Sequence, residues 1–136
     1  EGFVLRNNSM SPAKSIQIGR EKAGNLAEPV NLSWKVETVP VSYPDDPREA
    51  FIPLEKLEFP LKIRIWQNGD KFKPLGLSGS KKVSDYLVDE KVSVPEKERT
   101  FVLLSGEEIC WLIGHRIDDR FKVEAESQEV IHFKLQ

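Results

Sequence analysis

The chain is poor in reactive side chains. One cysteine, Cys110, and two histidines, His115 and His132, are spread over 136 residues. A lone cysteine closes no disulfide within the chain, which removes the disulfide-stapled class of small secreted domains and points to a reducing, cytoplasmic compartment. No grouping of cysteine with histidine has metal-ligand spacing, so no metal site is expected. Long apolar runs are missing too. Nothing approaches the roughly 20 residues that cross a bilayer as a helix, and no secretory leader is visible, so no membrane partner is expected. Internal repeats and low-complexity tracts are likewise missing. The first residue is Glu1 rather than methionine, and the chain is read on that account as a piece of something longer.

What is present suits an ordinary folded domain: 39% hydrophobic and 31% charged residues, enough for one core. The formal net charge of −2 conceals an asymmetry. Lys62, Arg64, Lys71, Lys73, Lys81 and Lys82 fall between positions 61 and 82 with only Asp70 against them, so the remainder is acidic. A basic patch on an acidic body steers a polyanion to one face and repels it elsewhere. The plainer reading is a solvated, lysine-rich surface.

The pattern of apolar residues predicts mostly strands. "GFVLR" and "SIQIG" read as short strands split by the polar turn "NNSMSP". In "VNLSWKVETV", Val30, Leu32, Trp34 and Val36 alternate with polar residues. "PVSYPDDPRE" carries three prolines and no period, which makes it a surface loop and a candidate boundary. "AFIPLEKLEFP" reads as a strand and a turn. "LKIRIWQ" sets Leu61, Ile63 and Ile65 inward, leaving Lys62, Arg64 and Trp66 on the other face. "TFVLLS" and "EICWLIG" form a hairpin about Gly106, the second strand placed centrally because Ile109, Trp111 and Ile113 oppose Cys110 and Leu112. "EVIHFKL" is a closing strand that buries Ile131, Phe133 and Leu135 and sets His132 at the solvent face of an edge. Val83, Tyr86 and Leu87 keep helical spacing. The fold class is therefore α+β: mostly antiparallel sheet, one main helix at about residues 80–91, and a short helical turn near 95–98 with Pro95 at its start. The expected division is a β-rich segment over 1–60 and a C-terminal domain over 61–136.

In this reading Lys81 and Lys82 open the main helix, where cations oppose the helix dipole by a few tenths of a kcal/mol, or about 1 if partly buried. Asp85, four residues after Lys81, offsets part of that cost, and Ser80 is the candidate N-cap. Gly76 and Gly79 allow unusual backbone angles and close approach. Free N–H groups, two ammonium groups and little bulk are the parts of a phosphate-binding site. A nucleotide P-loop is excluded, because it needs four residues between its glycines and Gly76 and Gly79 have two.

Other candidates weigh less. Trp66 is a candidate for stacking on a base, against the commoner role of packing under a loop. Phe72, between two lysines, suits an anchor for the glycine-rich loop, and Asp70 suits a cap that pins a turn. Cys110 with His115 would suggest a nucleophile and base, but an apolar strand makes a thiol inert. The carboxylates are scattered, and no catalytic residue is assigned.

The stretch "RIWQNGDKFKPLGLSGSKKVSDYLVDEKV" strongly resembles the C-terminal domain of tRNA(Ile)-lysidine synthase. The resemblance rests on Arg64, Gly69-Asp70, Pro74, Gly76, Gly79, Lys81-Lys82, Asp85 and Lys91. It continues through "ICWLIGHRIDDRFKV" at Trp111, Gly114, Arg116 and Ile117, covering residues 61 to about 134, and is loose over 1–60. It implies a role in tRNA maturation. The family's enzyme is an ATP-dependent ligase that adenylates the wobble cytidine of a CAU anticodon and joins lysine to it. That chemistry, with ATP and Mg²⁺, belongs to an N-terminal domain carrying an "SGGxDS" loop, which this sequence lacks. The fragment alone is then no enzyme and holds no cofactor. The implied partner is tRNA(Ile) with a CAU anticodon, gripped at the acceptor stem, and a homodimer would arise only through the parent protein. Phosphate contacts are expected from Arg64, Lys71, Lys73, Lys81, Lys82 and Lys91, with Arg116 and Arg120 a second tier because the neighbouring Asp118 and Asp119 compete to pair with them, and Trp66 for stacking. The competing reading is a protein-interaction or dimerisation module in which "FVLLS" and "EICWLIG" supply the interface and the lysines only keep it soluble.

Overall fold

The computed structural model describes residues 16–136. The expected strand "GFVLR" and turn "NNSMSP" lie outside the described residues. Eleven strands alternate with short helices among those described: β1 Ile16–Ile18, β2 Ala23–Leu26, β3 Leu32–Thr38, β4 Glu49–Pro53, a 3₁₀ turn Leu54–Lys56, β5 Leu61–Ile65, β6 Lys71–Phe72, β7 Lys81–Lys82, helix α1 Val83–Asp89, helix α2 Val94–Lys97, β8 Phe101–Ser105, β9 Glu108–Leu112, β10 Arg116–Ile117, a second 3₁₀ turn Asp119–Phe121, and β11 Glu129–Leu135. None of these helices is long and apolar enough to cross a membrane.

Every pairing among the described strands is antiparallel. A five-stranded sheet runs β10-β9-β8-β5-β1, a four-stranded sheet runs β2-β3-β11-β4, and β6 and β7 make a separate two-stranded ribbon. Strands from before and after position 60 share both large sheets. Burial explains the layering. Leu32, Trp34, Ile52, Ile131 and Phe133 of one sheet meet Ile18, Leu61, Ile63, Leu103 and Trp111 of the other in one core. On the far face of the five-stranded sheet, Val102, Leu104, Ile109 and Leu112 are covered by Phe72 of the ribbon and by Val83, Tyr86 and Leu87 of α1. Three layers therefore stack, with the five-stranded sheet in the middle.

Four expectations change. The central strand of the middle sheet is β8, the first of the hairpin, and all five of its residues are buried. In β9 the strict alternation fails at a bulge: Ile109 faces Leu104 and Trp111 faces Leu103, so Cys110 is the extra residue. Cys110 and Trp111 consequently both enter the inter-sheet core, as a bulge permits. His132 is not at an edge, because β11 lies between β3 and β4. Its ring stacks on Phe51 at 4.1 Å and touches Glu37 and Glu49 at 2.8 and 2.7 Å. Finally, α1 is shorter than residues 80–91. Lys81 and Lys82 form strand β7 before it, and Lys82, with extended backbone, stands at its N-cap with no side-chain cap, so Ser80 does not fill that role. The lysines are drawn into the strand by pairing with β6, and Val83 N–H donates to the Asp70 carbonyl at 2.9 Å. The helix closes with a Schellman pattern: Val92 N–H to Leu87 carbonyl and Lys91 N–H to Val88 carbonyl, with Lys91 at φ 58°. Ser93 caps α2 by accepting from Glu96 N–H, with Pro95 in its first turn.

Close cross-strand packing within the four-stranded sheet can be tested at Gly24. It pairs with Trp34 across β2 and β3, and a Cβ built there lies 2.5 Å from Trp34 Cζ2. Gly24→Ala is expected to cost about 1–3 kcal/mol by overpacking. Urea denaturation should show a lower midpoint with an unchanged slope; an unchanged midpoint would mean that the edge strand yields freely.

Candidate nucleic-acid interface

The ribbon is built by a short alternating run that is easy to overlook. Along Lys71-Phe72-Lys73-Pro74 the side chains are exposed, buried, exposed, buried. Phe72, 1% exposed, inserts edge-on against Tyr86 at 5.3 Å. The inward residues fasten this segment to the domain and turn Lys71 and Lys73 outward together.

The segment is also stitched to the sheet edge. Leu75 N–H donates to the Ile117 carbonyl at 3.0 Å, Asp119 N–H donates to the Lys73 carbonyl at 2.6 Å, and Pro74 bridges Asp118. Asp118 is fully buried. It accepts from Lys73 N–H at 2.7 Å, from Arg120 N–H at 2.8 Å, and from Arg120 Nε and Nη2, each at 2.9 Å. The Asp118 carboxylate in turn holds the Arg120 guanidinium's pKa above its usual value, and Glu108, which accepts from Arg120 Nη1 at 2.6 Å, adds to this. Arg120 is thereby committed to carboxylates.

Across the ribbon Lys71 stands directly opposite Lys82. Facing residues on paired strands lie about 5 Å apart at Cβ, and like charges there repel. Both lysines are exposed. Among the described residues no carboxylate lies within 4.0 Å of Lys71, Lys73, Lys82 or Lys91. Lys81 differs: it pairs with Asp89, not Asp85, and that hydrogen bond raises its pKa.

The arginines have structural partners. Arg64 grips Asp70 through a two-pronged fork of 2.9 and 3.1 Å, the two side chains 15% and 11% exposed. Asp70 also accepts from Gln67 N–H at 2.9 Å, which pins the turn before the ribbon. Arg116 donates to the Leu75 carbonyl at 2.7 Å and lies over the Tyr86 ring at 5.8 Å, beneath Gly76. Trp66 is half-buried against the Phe72–Leu87 cluster and donates through Nε1 to the Lys97 carbonyl at 2.7 Å, the geometry of a residue packed under a loop. The ribbon thus gathers Lys71, Lys73 and Lys82 on one side, while Arg64, Arg116 and Trp66 shape its base. Lys91 stands apart at the end of α1. The pairing of Asp118 with Arg120 is as the sequence allows, but nothing in "RIDDRF" marks the carboxylate as buried or as the anchor of the ribbon; the period-two run "KFKP" is the legible signal for the ribbon.

An open groove of about 820 Å³ lies beside the ribbon, its walls including Tyr43, Phe51, Tyr86, His115 and Arg116. Asp45, Asp46, Glu49 and Glu90 also line it, which makes it the wrong sign for a polyanion. Burial lowers the pKa of His115 and pushes the Cys110 thiol up, so neither is primed as a nucleophile–base pair. Among the described residues no cluster of histidine, cysteine and carboxylates could hold a metal ion.

Comparison with known proteins bears on this geometry. The family described as the TilS substrate C-terminal domain matches residues 61–133. A tRNA(Ile)-lysidine synthase of Parabacteroides distasonis is 42% identical over 106 residues, covering 76% of this chain and 24% of that protein. One of Bacteroides thetaiotaomicron is 45% identical over 92 residues, covering 68% of this chain and 22% of that protein. The chain spans about a quarter of the length of these curated relatives. A solved structure described as the TilS C-terminal domain superposes with a TM-score of 0.70 at 18% identity, over 90% of this chain and 97% of its own, which is a likeness of fold.

Two substitutions test the construction. Asp118→Ala should cost about 2–4 kcal/mol, because it leaves the Lys73 and Arg120 backbone N–H groups without their acceptor and takes from Arg120 one of its two carboxylates; thermal and chemical denaturation would read it, and a loss below about 1 kcal/mol would contradict the anchoring role. Lys91→Gly should leave stability unchanged or raise it by up to about 1 kcal/mol, since glycine carries no penalty at positive φ. A marked loss would show that the Lys91 side chain stabilises the fold.

Proposed function

The chain belongs to the family of TilS substrate C-terminal domains, and from that premise we propose that it is the tRNA-docking module of a tRNA(Ile)-lysidine synthase. The partner is the acceptor-stem region of tRNA(Ile) with a CAU anticodon. Ligation of lysine to the wobble cytidine, with its ATP and Mg²⁺, falls to a catalytic domain outside this chain, and the working compartment is the cytoplasm.

The observation that carries this reading is the ribbon's cross-strand lysine pair. Among the described residues Lys71 and Lys82 face each other without carboxylate partners, and Lys73 is exposed on the same strand side as Lys71. Such a pair opposes the ribbon's own stability. A phosphate backbone laid across it converts repulsion into attraction, and RNA helices are recognised largely through phosphates and shape. Lys91 and Lys81 are secondary contacts, Lys81 needing to exchange Asp89 for phosphate. Arg64 and Arg116 hold the surface in shape while already bonded within it. The rival interaction module loses its interface, since all of "FVLLS" and all but Glu108 of strand β9 are buried inside the domain.

Titration of a labelled acceptor-stem hairpin RNA at several salt concentrations tests the proposal. Three lysine–phosphate contacts predict a log–log salt slope of roughly −2 to −3. Lys71→Glu with Lys82→Glu should weaken binding at least tenfold and flatten that slope by about 2, with the melting temperature preserved. Equal affinity for wild type and variant would refute the assignment.

A further inference from the structure

Between the two lysine-bearing strands, Gly76-Leu77-Ser78-Gly79-Ser80 forms the tip of the ribbon. All five residues are exposed. Gly76 and Gly79 have φ of 86° and 76°, so the chain turns there in conformations other residues resist. A Cβ at Gly79 would meet nothing within 4 Å, and one at Gly76 only Arg116 Nη1 at 3.7 Å. The tip is therefore free of protein packing, while its base is fixed by the Arg116–Leu75 bond and by Leu77 N–H donating to the Pro74 carbonyl at 3.0 Å.

The distribution of charge along this element is specific. Cations stand on both strands below the tip, and the tip itself is neutral, slim and hydroxyl-bearing. Cations fit the two phosphate strands that border a groove; a neutral tip with Ser78 and Ser80 fits the groove floor. In A-form RNA the major groove is too deep and narrow for side chains, whereas the minor groove is wide, shallow and lined with 2′-hydroxyls. A serine hydroxyl both donates and accepts, as does a 2′-hydroxyl. Leu77, 44% exposed, adds an apolar contact for sugar edges.

We infer that the Gly76–Ser80 tip enters the minor groove of duplex RNA and that Ser78 and Ser80 read its 2′-hydroxyls, making the tip the element that selects RNA. This rests on the docking reading above and assigns a separate task within it: the lysines supply attraction and the tip supplies discrimination. The two tasks predict opposite effects of substitution.

The test compares anisotropy titrations of the 136-residue chain with two acceptor-stem hairpins of one sequence, all-RNA and 2′-O-methylated along the stem, which keeps A-form geometry. Two hydroxyl contacts predict about a tenfold preference for the unmodified hairpin. Ser78→Ala with Ser80→Ala should bring that preference below about threefold while leaving the salt slope intact. Lys71→Glu with Lys82→Glu should flatten the slope and keep the preference. A serine double variant with the wild-type preference, or a wild type that binds both hairpins equally, overturns the inference and leaves docking standing. Failure of the wild type to bind either hairpin removes the docking reading itself, and this inference with it.

Discussion

Asp118 carries a carboxylate with no access to solvent. A buried charge survives only if its lone pairs are taken up by donors, and here the donors come from three directions: the Lys73 backbone, the Arg120 backbone and the Arg120 guanidinium. This requirement ties the β6–β7 ribbon to the outer edge of the five-stranded sheet in one register. Moving the ribbon by a residue would strip a donor from Asp118 and turn Phe72 into water, because a one-residue shift exchanges the two faces of a strand. The lysines stand together because a carboxylate and a phenyl ring behind them allow no other placement.

The domain separates its charges by task. Arg64, Lys81 and Arg120 have carboxylate partners, and Arg116 has a carbonyl and an aromatic ring. Arginine suits these structural posts, since its planar fork meets two acceptors at once. Lysine, a mobile point charge, occupies the posts on the ribbon that have no carboxylate partner among the described residues, Lys71, Lys73 and Lys82, and only Lys81 there is paired. The repulsion between Lys71 and Lys82 is tolerated because the ribbon draws its stability from Phe72 and from the bonds along 73–75, rather than from its own two short strands.

What was legible in the sequence follows from this arrangement. Strands with one wet and one dry face, such as Leu32–Thr38 and Leu61–Ile65, announce themselves by alternation. The bulge at Cys110 does not, because a run apolar on both faces looks the same with or without an extra residue. His132 was misplaced for a related reason: a polar residue in a closing strand suggests an edge, yet here two glutamates and Phe51 accommodate it in the middle of a sheet. The largest departure from the sequence pattern is at Lys81 and Lys82. Local propensity allows the helix to begin there, and pairing with the earlier strand, Lys81 with Phe72 and Lys82 with Lys71, takes both positions for a strand. The electrostatic oddity noticed at a helix start was real, but it belongs to a cross-strand pair.

That relocation changes the physics of recognition. A helix N-terminus offers one converging point for one phosphate, whereas a ribbon offers a line of cations with a protruding tip, suited to a repeating backbone. Three such contacts, as the docking reading has them, would confer modest affinity that fades quickly with salt. Under the docking reading, weakness of this kind has a use. A module that holds a long RNA far from the reaction centre raises the effective concentration of the distant end without binding so tightly that release becomes slow. Tighter gripping would need more unpaired lysines on the ribbon, and each would add repulsion that Phe72 and Asp118 must withstand. Under that reading the number of cations on the ribbon is limited from both sides, by what the anchors can hold and by how soon a bound RNA would have to leave.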